Sequence, residues 1–149
     1  NEIAYLKEVK ANTKVVISSK TIKMSDRVSK VEILMKDENE KEVFAVLCLD
    51  AELRKLHFKK LFYGSHHSCS VSLNQTLRYA LQQQACQIVV AHNHPYGIAQ
   101  PSPEDIYLTQ QLKQACKLLE INLIDHFIIS AEDHFSFSEQ QLLNPTKIK

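Results

Sequence analysis

A short apolar run, Ile88-Val89-Val90-Ala91, leads directly into His92-Asn93-His94, and this stretch constrains the fold more than any other. Four consecutive aliphatic residues of this kind read as a buried strand. Successive side chains of an extended segment alternate sides, so His92 and His94 share one face and Asn93 points to the other. Pro95-Tyr96-Gly97 then turns the chain away. Pro101-Ser102-Pro103-Glu104-Asp105 opens a helix, with Ser102 as N-cap, Pro103 at the first helical position and Asp105 in the first turn, where a carboxylate suits the helix dipole.

Strand end and helix start together carry chemistry. α/β proteins place ligands at the carboxyl ends of strands. Two imidazoles and one carboxylate leave a coordination position of a zinc ion open, as catalytic rather than structural sites do. His92, His94 and Asp105 are therefore the candidate ligands of one zinc ion. Capping does not compete with this role, because a capped helix start holds Ser102 and Asp105 rigidly beside the strand. A His-x-His pair alone would be weak evidence; the full string His-x-His-x7-Ser-x2-Asp is far harder to obtain by chance.

The rest of the chain reads as one α/β layered domain spanning residues 1–149. Residues 15–17 suggest a short strand and 26–36 a helix, with Val28, Val31, Leu34 and Met35 at helical spacing, followed by a polar turn at 37–40. Residues 42–49 read as a strand, paired in a hairpin with 54–63, where Leu56 and Phe58 alternate with polar residues. Ser72 and Gln75 form a capping-box pattern, and Leu73, Leu77, Ala80 and Leu81 give the next helix an apolar stripe. The helix from Pro103 is expected to bury Ile106, Leu112, Ala115, Cys116 and Leu119, and strands at 122–130 and 135–137 close the domain.

Composition narrows the setting. Apolar content of 44% and charged content of 23% are ordinary for a soluble globular chain. A net charge of +1 provides no bulk attraction for nucleic acid, and the Arg54-Lys55 and Lys59-Lys60 clusters read as the solvated face of a strand. No run reaches the roughly 18–20 apolar residues of a membrane span, and no signal peptide is visible. Cys48, Cys69, Cys86 and Cys116 form no Cys-x-x-Cys pair, and Cys48 and Cys86 read as small buried hydrophobes, so a reducing cytoplasmic compartment is expected. The chain begins at Asn1 rather than Met, which leaves room for a further N-terminal domain in the natural protein.

His92-x-His94-x7-Ser102-x2-Asp105 resembles the JAMM metalloprotease motif of the JAB/MPN superfamily. His92-Asn93-His94-Pro95-Tyr96-Gly97, Pro101-Ser102-Pro103-Glu104-Asp105 and the pair Asp125-His126 narrow the resemblance to the RadC-like branch. Glu42-Val43-Phe44 and Leu49-Asp50 resemble the ends of its first motif strand, and Phe62-Tyr63-Gly64 the opening of its next loop. The likeness runs from about residue 13 to 143. Two places depart from it: Tyr96 stands where serine is usual, and Leu73-Asn74-Gln75 where Pro-Arg-Glu is usual. Since the metal set is intact, the departures bear on substrate contacts.

This resemblance implies an MPN fold, related to the cytidine deaminase-like architecture: a layered mixed sheet flanked by helices. It also implies a zinc-dependent hydrolase that cleaves a peptide or isopeptide-like amide of a peptide or protein substrate with metal-activated water. Glu42 would then move the proton and Ser102 would donate to the oxyanion, with both counted as catalytic. Asn93, facing away from the metal, is expected to brace the loop by hydrogen bonds, and His126 to be a buried residue behind the site. Through the RadC name the likeness also carries an association with DNA repair, so the runner-up is a repair or recombination accessory protein whose metal site is regulatory or incidental. An inactive scaffold would have lost the metal residues, a zincin needs His-Glu-x-x-His, and a nucleoside deaminase needs Pro-Cys-x-x-Cys; none of these fits the chain.

Overall fold

The computed structural model describes residues 41–64 and 70–144. The elements expected at 15–17 and 26–36 and the turn at 37–40 lie outside the described residues. In chain order the described elements are β1 (Val43–Leu49), β2 (Lys55–Tyr63), α1 (Leu73–Gln82), β3 (Gln87–Asn93), α2 (Pro103–Leu118), β4 (Asn122–Ile129) and β5 (His134–Ser136). The strands form one mixed sheet in the order β2-β1-β3-β4-β5. β3 and β4 are parallel, joined by α2; the other neighbours are antiparallel. This is the α/β architecture that the interleaved strand and helix patterns implied.

β1 and β3 are central strands, and their sequences show why. Val43–Leu49 is apolar throughout and buried throughout, as expected for a strand covered on both faces. Even-numbered residues of both strands (Phe44, Val46, Cys48, Ile88, Val90) pack with Tyr79 and Ala80 of α1 and Leu112 and Cys116 of α2. Odd-numbered residues (Val43, Ala45, Leu47, Leu49, Val89, Ala91) form a second cluster with Phe127 and Ile129 on the opposite face. Both described helices thus lie over the even-numbered face. The hairpin between β1 and β2 is set by Asp50, whose Oδ1 accepts from the N–H groups of Glu52 and Arg54 at 2.9 and 2.8 Å.

The chain has only two glycines, and its helices end without them. Gln84 follows α1 at φ 55° and Glu120 follows α2 at φ 57°, each in the left-handed position that glycine usually fills at a helix C-terminus.

Several apolar residues lie further out than their spacing suggested. Leu81 is 50% exposed, Leu119 40% and Leu56 42%. Leu81 and Leu119 sit at helix ends, where the packed face runs out, and Leu56 lies on β2, a terminal strand of the described sheet. Cys86 is exposed rather than a buried hydrophobe. It occupies the turn into β3, where its N–H donates to Leu49 and its carbonyl accepts from Asn122, so the backbone is tied while the side chain faces out.

Candidate metal centre

β3 delivers the two histidines. The parallel ladder runs through Asn93, paired with Ile129, and the N–H of His94 still donates to the Ile129 carbonyl at 2.6 Å. His92 and His94 therefore leave the sheet together, their ring centroids 5.1 Å apart. His92 is buried beneath the edge of the Phe44 ring, its partner in β1.

α2 delivers the carboxylate. Ser102 Oγ accepts from the Asp105 N–H at 3.1 Å, and the Ser102 N–H donates to Asp105 Oδ2 at 2.9 Å, a reciprocal capping box. Asp105 Oδ1 lies 3.1 Å from His92 Nδ1, and Oδ2 lies 3.4 Å from His94 Nε2. Burial by itself would raise the Asp105 pKa, but the hydrogen bonds from His92, His94 and the Ser102 N–H outweigh it and hold the group far below the usual carboxylate range. The hydrogen bond to Asp105 in turn raises the His94 pKa, against the opposing effect of burial.

Glu42 completes the group from the start of β1. Sharing the even-numbered face with Phe44, its carboxylate reaches the same side of the sheet as His92, with Oε2 at 3.5 Å from His92 Nε2. Its backbone is pinned on every side. Gly64 N–H donates to the Glu42 carbonyl at 2.8 Å. Asn93 Nδ2 donates to the Lys41 carbonyl at 2.9 Å, and Asn93 Oδ1 accepts from the Val43 N–H.

The donor set fits a metal ion. Ionised Asp105 only accepts, so His92 Nδ1 carries the hydrogen and its Nε2 is a bare lone pair. That nitrogen is buried and has no hydrogen-bond partner. His94 Nδ1 donates to the Ile98 carbonyl at 3.2 Å, and its Nε2, which faces Asp105 Oδ2, would turn to an ion on giving up the proton it shares with that carboxylate. Two donors held at about 2.0–2.1 Å on a tetrahedral zinc stand about 3.4 Å apart. The Glu42–His92 and Asp105–His94 distances match this spacing. One ligand atom each from Glu42, His92 and His94 falls within 4.8 Å of the others. The structure thus brings Glu42, His92, His94 and Asp105 together, with Ser102 capping the helix that carries Asp105 and Glu42 Oε2 3.5 Å from His92 Nε2.

Behind the centre Thr109, which the motif did not announce, meets His126. Thr109, one turn after Asp105, donates from Oγ1 to the Asp105 carbonyl at 2.6 Å and meets His126 Nδ1 at 2.6 Å. With the Thr109 proton spent, His126 Nδ1 must donate, and His126 Nε2 is left buried without a partner. The ring stacks on Phe137 at 4.7 Å, and burial pushes its pKa down to about 3. His126 is thus the buried residue behind the site that the sequence led us to expect. The signal for Thr109 was its position one helical turn after Asp105. Among the described residues no helix is long and apolar enough to cross a membrane.

Residues 22–142 match the sequence profile of the RadC-like JAB domain. A UPF0758 protein of Acinetobacter baumannii is 78% identical over 107 residues, covering 72% of this chain and 46% of that protein. A UPF0758 protein of Acinetobacter baylyi is 66% identical over 106 residues, 71% of this chain and 39% of its own length. One from a Psychrobacter species is 54% identical over 99 residues, 66% of this chain and 44% of its own. The chain therefore spans less than half the length of these curated relatives. By the breadth of the profile match and the histidine–aspartate centre it encloses, the chain belongs to the RadC-like JAB domain family.

Proposed function

We propose that this domain is a zinc-dependent hydrolase of the JAMM type, cleaving a peptide or isopeptide-like amide. The observation that carries the reading is the buried, unpartnered Nε2 of His92, which faces a carboxylate 3.5 Å away and has its other nitrogen fixed by Asp105. His92, His94 and Asp105 would hold the ion. When bound, zinc supplies Lewis acidity, lowering the pKa of water toward about 7 and polarising a carbonyl.

The chain's own residues do the rest. Glu42 Oε2 takes the proton of the attacking water and returns it to the leaving amine. The Asn93 and Gly64 hydrogen bonds hold the backbone that carries that carboxylate. The Ser102 hydroxyl accepts from Asp105 N–H, so its own hydrogen is available to donate to the oxyanion that develops on the substrate. Phe44 and the buried sheet exclude water from behind, which strengthens each of these interactions.

A second reading concerns the third ligand. The mutual convergence of Glu42, His92 and His94 favours Glu42 on the ion, with Asp105 orienting His92 through Nδ1 as a carboxylate behind a metal-bound histidine does. Among the described residues Cys48, Cys86 and Cys116 are free thiols, as a reducing, cytoplasmic setting would keep them. Metal analysis of the purified protein followed by a broad peptidase screen tests the function. Turnover that requires zinc and vanishes in Glu42→Gln supports it. A zinc-loaded protein that cleaves nothing in the screen counts against it.

A further inference from the structure

Next to the candidate metal centre a cleft of about 370 Å³ opens between the start of α1 and the first half of α2. His92 and Asp105 form its floor, and Val71 and Leu73 one wall. The other wall is a single helical face, since Glu104, Tyr107, Leu108 and Gln111 recur at the i, i+3, i+4, i+7 spacing. Anything bound to the metal residues through an amide would place its neighbouring side chain here.

We propose that this cleft is a subsite for a basic side chain, arginine or lysine, on the residue adjoining the cleaved amide; the inference rests on the hydrolase reading. Size comes first. The volume lies at the low end of ligand pockets, which run from about 300 to 1,000 Å³, so it suits one side chain rather than a folded surface. Val71, Leu73 and Leu108 offer aliphatic contact to a methylene stem.

Charge selects the head group. Among the described residues the lining holds two carboxylates and no lysine or arginine. Asp105 is engaged by His92, His94 and Ser102, and together with Glu42 it would balance the charge of a bound divalent ion, which leaves the exposed Glu104 as the charge facing an occupant. An acidic side chain would be repelled by Glu104, and the Ser102 and Asp105 N–H groups of the helix start are already taken by the capping box. An aliphatic side chain would fill the stem region and leave Glu104 unused. Tyr107, 66% exposed, adds a ring face on which a guanidinium can lie.

The test uses blocked tripeptides Ala-Xaa-Ala with N-methylated backbone amides, which resist hydrolysis, and Xaa arginine, norleucine or glutamate. Each is titrated into the intact zinc-loaded protein while the methyl signals of Leu73 and Leu108 are followed by NMR. Arginine should bind about threefold tighter than norleucine, a surface ion-pair effect, and about tenfold tighter than glutamate. Glu104→Gln should abolish the advantage over norleucine, and Leu73→Asn should weaken both by about fivefold. Norleucine matching arginine in the parent, shifts confined to residues outside the cleft, or no binding would each overturn the subsite. A random peptide library separates the two readings. If arginine seats at Leu73 and Leu108 yet the library is untouched, the hydrolase reading fails, and the cleft stands as a binding site for a basic side chain without a cleaved amide beside it. Cleavage with no preference for a basic residue on either side of the cut leaves the hydrolase and overturns the subsite.

Discussion

Asn93 brackets Glu42 without touching its carboxylate: its amide nitrogen holds the Lys41 carbonyl at 2.9 Å and its amide oxygen receives the Val43 N–H. The residue between the two candidate-ligand histidines thereby fixes the backbone on both sides of the acid on the neighbouring strand. Asn93→Ala should leave those two groups without their partner, costing about 2 kcal/mol of stability. Freed to move by about 1 Å, Glu42 should lose about 10²-fold in turnover while the metal stays bound. Denaturant unfolding and kinetics at full zinc occupancy check this. Unchanged turnover would mean that the bracket serves folding alone.

His126 makes a pH prediction. Burial pushes its pKa down to about 3, whereas in the unfolded chain it titrates near its ordinary 6.5. Between those values the unfolded state binds the extra proton, so this residue's contribution to stability is present above about 6.5 and is lost as pH falls toward 3. The limiting slope is about 1.4 kcal/mol per pH unit. His94, whose pKa is raised, works in the opposite direction, so the parent must be compared with His126→Gln. The parent should lose more stability than the variant between pH 7 and pH 5. Parallel curves would show that His126 does not stay neutral.

Left-handed Gln84 and Glu120 offer a test independent of the site. Replacing either by glycine should stabilise the domain by about 0.5–1 kcal/mol, because glycine meets no Cβ penalty there. A rise in Tm of about 2 °C per variant is expected; a fall would mean that the side chains make contacts worth more than the strain.

Tyr96 is 60% exposed on the turn that follows His94. A large ring there is placed to contact an extended substrate at the rim, so Tyr96→Ser should keep zinc and broaden substrate choice. Equal ratios of kcat/KM across a peptide panel would make Tyr96 a surface residue without a role in selectivity.

The elements that carry local signals were legible in the sequence. A fully apolar strand, a Ser-Pro-x-Asp helix start and a histidine pair two residues apart each act within a few residues, and β1, β3 and α2 fall where those patterns put them. Asn93 was legible as a hydrogen-bonding brace by its alternation with the histidines. Its targets were not, because the bonds to Lys41 and Val43 span about fifty residues and depend on the β1–β3 register. Cys86, Leu81 and Leu119 looked buried because periodicity reports a face and not where that face ends. The Asp105 hydrogen bond to His92 Nδ1 was invisible for a similar reason: spacing names ligand candidates, but not which atom each one offers.

Zinc affinity measured on three proteins, the parent, Glu42→Gln and Asp105→Asn, tests the assignment of roles most directly. With Asp105 on the ion and Glu42 carrying the proton, the parent binds one zinc per chain, Glu42→Gln binds within about threefold of it, and Asp105→Asn loses more than about 100-fold, beyond what removing a supporting hydrogen bond costs. A Glu42→Gln variant that loses the metal, beside an Asp105→Asn variant weakened only about tenfold, would put Glu42 on the ion and contradict the assignment.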